Sequence, residues 1–386
     1  MKKEKSFKLK YIFISLLFLM MIQIFRYPGM SIMSAKEGLN IWVNLLLPSL
    51  LPFLIISNLL ISLGFIDIFG RLLEPLMKPL FNVPGIGIFP FFISMMSGYP
   101  VGAKLTSNLR QNKLITKIEA DRLISFSSTS GPLFLLGTVL IGMLNYPELS
   151  PLILIPHYLG ALTIGIIFRF YRKDDRANSE KKLLSPLKKD NSIGSIISTC
   201  IKDSMDSMLM IGGFVIIYSV IIDVLLESYF FISLLRGISK ISFIDIEILK
   251  GITAGIIELT NGCNIISSLN IKLINKILIL NFLIGWGGFS IHSQALSFIS
   301  NTDISSKIYL VSKFFHGILA SVYTYLLYLI KYKGVLSTTF NTSPFTIPTD
   351  FSHWISLLIN STKITITLLI FIFILSILIN QLRVRN

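Results

Sequence analysis

The sequence predicts an all-α integral membrane protein of about eight transmembrane helices and two re-entrant segments, arranged as an inverted repeat. Three observations carry that expectation. The 386 residues are 53% hydrophobic and only 14% charged, with a mean hydropathy of +0.73. Helix-breaking clusters stand inside otherwise apolar sequence, first at Ser97-Gly98-Tyr99-Pro100-Val101-Gly102 and again at Ser127-Ser128-Thr129-Ser130-Gly131-Pro132. The order of long, short and broken apolar segments in the first half then recurs in the second.

The composition excludes a soluble fold. A formal net charge of +15 would suggest nucleic acid in a soluble chain, but here the basic residues fall mostly between apolar spans, where they set topology through the positive-inside rule. The partner is the lipid bilayer, and no nucleic acid is expected. Cys200 and Cys263 lie in different segments without metal-ligand spacing, so neither a disulfide framework nor a zinc site is indicated.

In chain order, the lysine-rich start leads into an apolar run from Tyr11 to Phe25, kept as a span because no small-x-small cleavage pattern follows it. Residues 1–38 form this N-terminal unit. Trp42 to Leu63 is a long apolar helix that Pro48 and Pro52 should bend rather than end. Residues 65–80 read as an interfacial helix. Residues 85–97 are apolar but too short to cross, and they meet Gly98-Tyr99-Pro100 before turning polar, which is the pattern of a re-entrant segment. Leu123 to Tyr146 crosses with a break at its midpoint, and Pro151 to Phe170 crosses back. These elements make a first repeat at 39–170.

A basic loop at 171–204 follows. Within 205–332 the plan returns: Met205 to Leu226 crosses, Ile238 to Leu249 is interfacial, Gly251 to Gly262 is short and ends on Thr260-Asn261-Gly262. Ile274 to Ser300 is broken at Gly285-Trp286-Gly287-Gly288, and Ile308 to Ile330 is plain. A loop and a last span near Ile364 to Ile379 fill 333–386. With the amino terminus inside, the loop at 171–204 is also inside, and three crossings separate the Trp42 span from the Met205 span. An odd number of crossings inverts the second repeat.

The breaks point to a site, because backbone freed by Gly and Pro survives in hydrocarbon only where protein or a wet cavity covers it. Pro132 suits the first turn of a helix and Ser130 the cap before it. A half-helix therefore starts at Gly131, and entry near Arg122 with a rise of about 1.5 Å per residue puts it roughly 13 Å into a core about 30 Å thick. Half-helices of this kind aim free N–H groups at anionic ligands in many secondary transporters. Candidate substrate residues are thus Ser97, Gly98, Tyr99 and Gly102 at the first tip, Ser128, Thr129, Ser130 and Gly131 at the first break, Asn261 and Asn264 at the second tip, and Ser290, His292 and Gln294 after the second break. Lys104, one turn past the first tip, is the expected cation for an acidic substrate. Glu258, one turn before the second tip, is the expected partner of Lys104 or the site of a coupling proton or sodium ion.

No HExxH, GxSxG or paired-aspartate pattern occurs, and Lys313 and His316 share a helix face that they could simply line, so no enzyme, catalytic residue, metal or cofactor is expected.

The strings SGYPVGAK (97–104), IEADRL (118–123), SSTSGPLFLLG (127–137) and HYLG (157–160) resemble those of the YlbJ, or SpoVV, family of sporulation integral membrane proteins. That family falls in the nucleoside-recognition, or Gate, group, distantly similar to concentrative nucleoside transporters. The resemblance implies an endospore former, a place in the mother-cell-derived outer forespore membrane, and a role in dipicolinate delivery and cortex formation. Dipicolinate, with two carboxylates on an aromatic ring, suits half-helix N-termini and a lysine. A non-transporting scaffold for envelope assembly and a nucleoside-type carrier are the alternatives. The sequence leaves the oligomeric state open.

Overall fold

A computed structural model of the chain describes residues 20–63, 77–172 and 193–333, with isolated positions from 11 to 18. Among the described residues every element is helical and none is a strand. Most of the interfacial helix expected at 65–80, the basic loop at 173–192 and the final span after 333 lie outside the described residues.

A single helical rod opens the fold, built from α1 (Pro28–Ile41), a π turn at Trp42–Leu46 and α2 (Leu47–Ser62). Pro28 sits in the first turn, where its missing N–H costs nothing. The rod thus begins well before the Trp42 span expected from hydropathy. Pro48 and Pro52 do not end it; the helix widens into the π turn just ahead of Pro48, a common way of absorbing an interrupted hydrogen-bond ladder.

The next four helices are short. They are α3 (Ile88–Ser97), α4 (Val101–Gln111), α5 (Lys117–Ser127) and α6 (Phe134–Leu144), the last in π geometry throughout. Gly98 to Pro100 separates α3 from α4, and Ser128 to Gly131 separates α5 from the helical turn leading into α6. A capping box starts α5: Thr116 Oγ1 accepts from the Glu119 N–H, and the Thr116 N–H donates to Glu119 Oε2 at 2.8 Å. Helix α7 (Ser150–Phe168) follows.

Apart from an amphipathic helix whose expected counterpart lies outside the described residues, the second half follows a similar order. A long α8 (Ile193–Glu227) is followed by an amphipathic α9 (Tyr229–Ser242), then α10 (Ile246–Ile257), α11 (Leu259–Ser268), α12 (Leu273–Trp286), α13 (Gly288–Ile299) and α14 (Ser306–Leu327). Two boundaries move. The loop expected to run to residue 204 gives way to helix at Ile193, and the amphipathic helix lies at Tyr229–Ser242 rather than Ile238 to Leu249. Leu235 is its buried contact, while Tyr229, Phe230 and Ile241 are exposed.

Among the described residues four stretches are long and apolar enough to cross a membrane: Pro147–Phe168, Ile193–Glu227, Leu273–Ile299 and Ser306–Tyr332. Gly85–Ser97 and Phe134–Leu144 are apolar but shorter.

Small and polar side chains join the long helices. Gly212 leaves room for the Trp42 ring, whose Nε1 donates to the Met208 carbonyl at 2.9 Å, and Gly38 lies against Ser219. Asn58 Nδ2 donates to Ser204 Oγ, and Ser62 meets Cys200. As positions rise from 38 to 62 their partners fall from 219 to 200, so the first rod and α8 run antiparallel. The short helices interlock across the halves as well: α4 packs on α13, and α11 packs on α6.

Candidate functional site

Each half brings its two interruptions together backbone to backbone. Gly98 has φ +81°, and a Cβ placed there would lie 3.1 Å from the Gly131 nitrogen; one on Gly131 would lie 3.0 Å from the Met96 carbonyl oxygen. In the second half Gly288 has φ +76°, and its Cβ would lie 3.0 Å from the Leu259 nitrogen and 3.2 Å from the Gly255 oxygen. Glycine is demanded at both crossings by the left-handed backbone and by the approach.

All four interruptions border one cavity. Ser97, Gly98 and Tyr99 reach it from the first tip and Ser130 and Gly131 from the first break. Glu258 and Thr260 come from the second tip, Ser290 and Gln294 from the segment after the second break. Leu46 of the first rod and Ile211, Phe214 and Val215 of α8 close an apolar wall. The first-turn N–H groups of α13 have no carbonyl four residues back to accept them, and that turn opens on this cavity, whereas in the first half the Leu135 N–H already donates to the Gly131 carbonyl at 3.2 Å. A mostly apolar lining with a few convergent polar groups is typical of small-molecule sites.

The structure moves several residues singled out in the sequence. Lys104 is exposed on α4 and does not line the cavity. Its distance from the tip along the chain is short, but the helix turns it outward while Gly102 and Ala103 face inward. Gly102 is a packing residue: a Cβ there would fall 1.9 Å from the Ser127 carbonyl oxygen. Glu258 is not one turn before the second tip but is the tip itself, and its Oε2 caps α11 by accepting from the Asn261 N–H at 2.7 Å. That shift puts Asn261 and Asn264 inside α11. Asn261 Nδ2 donates to Ser219 Oγ at 2.8 Å, and Asn264 is exposed. Thr129 faces Ser94, whose Oγ accepts from the Thr129 N–H. His292 is buried beside Tyr309, with Nδ1 and the phenol oxygen 3.3 Å apart.

Ser130 is held by its backbone rather than by the capping side chain the sequence suggests. Its N–H donates to His157 Nε2 at 3.1 Å, and its carbonyl accepts from the Tyr158 hydroxyl at 3.1 Å. The adjoining carbonyl, of Ser128, accepts from Lys313 Nζ. Lys313 is fully buried, with its ammonium 5.7 Å from the centre of the Tyr99 ring. It lies at the carboxyl end of α5, where the helix dipole favours a cation. The buried cation of the site is therefore Lys313. A lysine in mid-span was the sequence signal for it, and Lys104 drew attention away only through its nearness to a glycine. Among the described residues no three His, Cys, Asp or Glu side chains gather closely enough to hold a metal ion.

At the edge of the bundle, Arg110 makes a two-pronged bond to Asp303, with Nε to Oδ1 and NH2 to Oδ2 both at 2.8 Å. The guanidinium holds the Asp303 carboxyl below the usual carboxylate range, and Asp303 in turn raises Arg110. This pair ties α4 to the loop between α13 and α14. Close by, the Ser305 N–H donates to Asp121 Oδ1 at 2.8 Å.

The helical spans define the class, an integral membrane protein. The Gate family, described as nucleoside recognition, matches residues 44–147, which run from the π turn through the first tip and break to the end of α6. The sporulation integral membrane protein YlbJ of Bacillus subtilis (strain 168) is 36% identical over 326 residues, covering 78% of each chain. The chain belongs to the YlbJ family of sporulation integral membrane proteins. No solved structure matches it.

Proposed function

We propose that this protein is a secondary carrier of a small anionic metabolite, dipicolinate, acting in the outer forespore membrane in support of spore maturation and cortex formation. The single observation that carries the reading is the convergence of four helix interruptions on one cavity. A scaffold has no use for such interruptions, since each leaves backbone groups to be satisfied inside a membrane. In this reading α3–α4 and α10–α11 are re-entrant hairpins. Their arms of 10 to 12 residues rise about 15 to 18 Å, enough to reach the middle of the bilayer and no further. The antiparallel pairing of the first rod with α8 supports an inverted repeat, the architecture of alternating-access carriers.

The first turn of α13 supplies N–H donors for carboxylates, and Tyr99, Leu133 and Phe134 offer apolar surface for an aromatic ring. Glu258, facing the cavity, is where a coupling ion, proton or sodium, is exchanged. The sporulation context rests on the relative, and the match to a nucleoside-recognition family favours a nucleoside as second reading for the cargo.

The test is uptake of labelled dipicolinate into liposomes holding the purified protein, with unlabelled dipicolinate or uridine as competitor. Saturable uptake blocked by dipicolinate and not by uridine is expected. Competition by uridine would transfer the reading to a nucleoside, and the absence of saturable uptake under every ion gradient would favour a scaffold.

A further inference from the structure

Behind the cavity floor lies a polar cluster that the substrate reading leaves unused. Lys313 projects from α14 toward the first break, where its ammonium holds the Ser128 carbonyl. Among the described residues no carboxylate pairs with it. The titratable groups around it come from every side: His157 from α7, His292 from α13, His316 from its own helix, and Tyr99 from the first tip, with Tyr158 and Tyr309 beyond it. At the break, α5 offers neutral Ser128, and among its neighbours α12 carries neutral Asn281 and Gly285. An ammonium buried this way, without an anion, is held at a cost of several kcal/mol.

The two histidines beside it have opposite needs. His157 Nε2 accepts a backbone N–H, so its proton is on Nδ1, and that atom has no partner. His316 Nε2 lies 2.8 Å from the His157 carbonyl, which can only accept, so its proton is on Nε2 and its Nδ1 lone pair has no partner. One ring carries an unused donor and the other an unused acceptor, and the ring centres are 4.6 Å apart. Unsatisfied groups of complementary sense, buried together, are costly in a static structure. They are what a site that takes up and releases protons requires.

We propose that Lys313, with His157 and His316 around it, is a buried proton-binding site that couples proton movement to the carrier cycle, separately from Glu258. In the loaded form the ammonium grips the carboxyl end of α5. Release of H⁺ to water admitted from the cavity leaves a neutral amine, whose hold on the Ser128 carbonyl is weaker by the charge-assisted part of that bond. Ser130 and Gly131, two and three residues on, form the cavity wall, so the proton state reaches the substrate site through one stretch of backbone. Reloading from the other side completes the step. The coupling role rests on the carrier reading; the proton site itself does not.

Two measurements separate the two. The chain has four histidines, so ¹⁵N-histidine labelling of the full protein in detergent gives few signals. The expected result is a shared pH step in the ¹⁵N shifts of His157 and His316 that is absent in Lys313→Gln and Lys313→Arg, the latter because arginine stays charged. No step in the wild type, or a step that survives both substitutions, overturns the proton site whatever the protein carries. In sodium-free liposomes enclosing a pH indicator, wild-type uptake of labelled dipicolinate is expected to move protons with it. Uptake with no proton movement overturns the coupling and leaves the carrier standing; no uptake at all removes the carrier reading, and the histidine titration then decides the site alone.

Discussion

At the scale of single residues, the site is defined by where helices put side chains around their axes. Lys104→Gln should leave the half-saturation for dipicolinate and the level of membrane insertion unchanged, because the side chain faces outward on α4. A shift of about tenfold, the loss of about 1.4 kcal/mol, would return Lys104 to the site. Gly98 makes the opposite prediction. With φ at +81° and the Gly131 nitrogen 3.1 Å from its would-be Cβ, Gly98→Ala carries about 1–2 kcal/mol of backbone strain and pushes the tip off the break. Lower thermal stability in detergent together with slower uptake is expected; parental values for both would mean that the crossing has slack. Both glycine clusters were legible in the sequence as breaks. The inward face of α14, which carries Lys313 and His316, was legible only as a shared face, since periodicity gives which residues point together and not what they point at.

At the scale of elements, the half-helices are locked at their ends. Replacing Glu258 by Gln keeps an acceptor for the Asn261 N–H but loses the charge at the amino end of α11, for an expected cost of about 0.3–1 kcal/mol. A small fall in melting temperature with a larger change in ion dependence of uptake would agree with both its roles. The Arg110–Asp303 pair is a clasp of a different kind. Its side chains are 25% and 48% exposed, so it adds little to stability, but it bridges the first-half hairpin to the second half. Asp303→Asn should speed maleimide labelling of a cysteine at Ser97, in a background lacking Cys200 and Cys263, with little change in melting temperature; an unchanged rate would show that the clasp does not guard the cavity. Because the carboxyl is held below its usual range, its contribution is full once carboxylates are ionised and is lost only as pH falls through that lowered value. The clasp is therefore closed at neutral pH. Neither partner could be paired from the sequence, since 193 positions separate them.

For the whole molecule, the decisive property is the orientation of the two halves. Asn108, near the end of α4, and Ser268, at the end of α11, are both exposed. Single cysteines at these positions in the same cysteine-free background should react with an impermeant reagent from opposite sides of the membrane. Reaction from one side would dissolve the inverted repeat, and with it the alternating-access reading. Ser107, one residue earlier, is buried and would be a poor reporter.

Hydropathy and punctuation by themselves determined the class, the order of the described elements and the location of the first break and of Gly287–Gly288, because Gly, Pro and Ser mark most places where a helix in hydrocarbon gives up a hydrogen bond. They located the second tip two to four residues late, since Thr260-Asn261-Gly262 looks like a break and Glu258, which is one, looks like a helix former. They could not decide which cation is buried. That depends on how α14 lies against α5 and α7, and the mid-span position of Lys313, its one local signal, does not record what the side chain meets. Only the packed structure turned Lys104 to the outside, drew Lys313 onto the Ser128 carbonyl, and gathered four interruptions from distant parts of the chain around one cavity, because long-range packing sets the rotation of each helix about its axis.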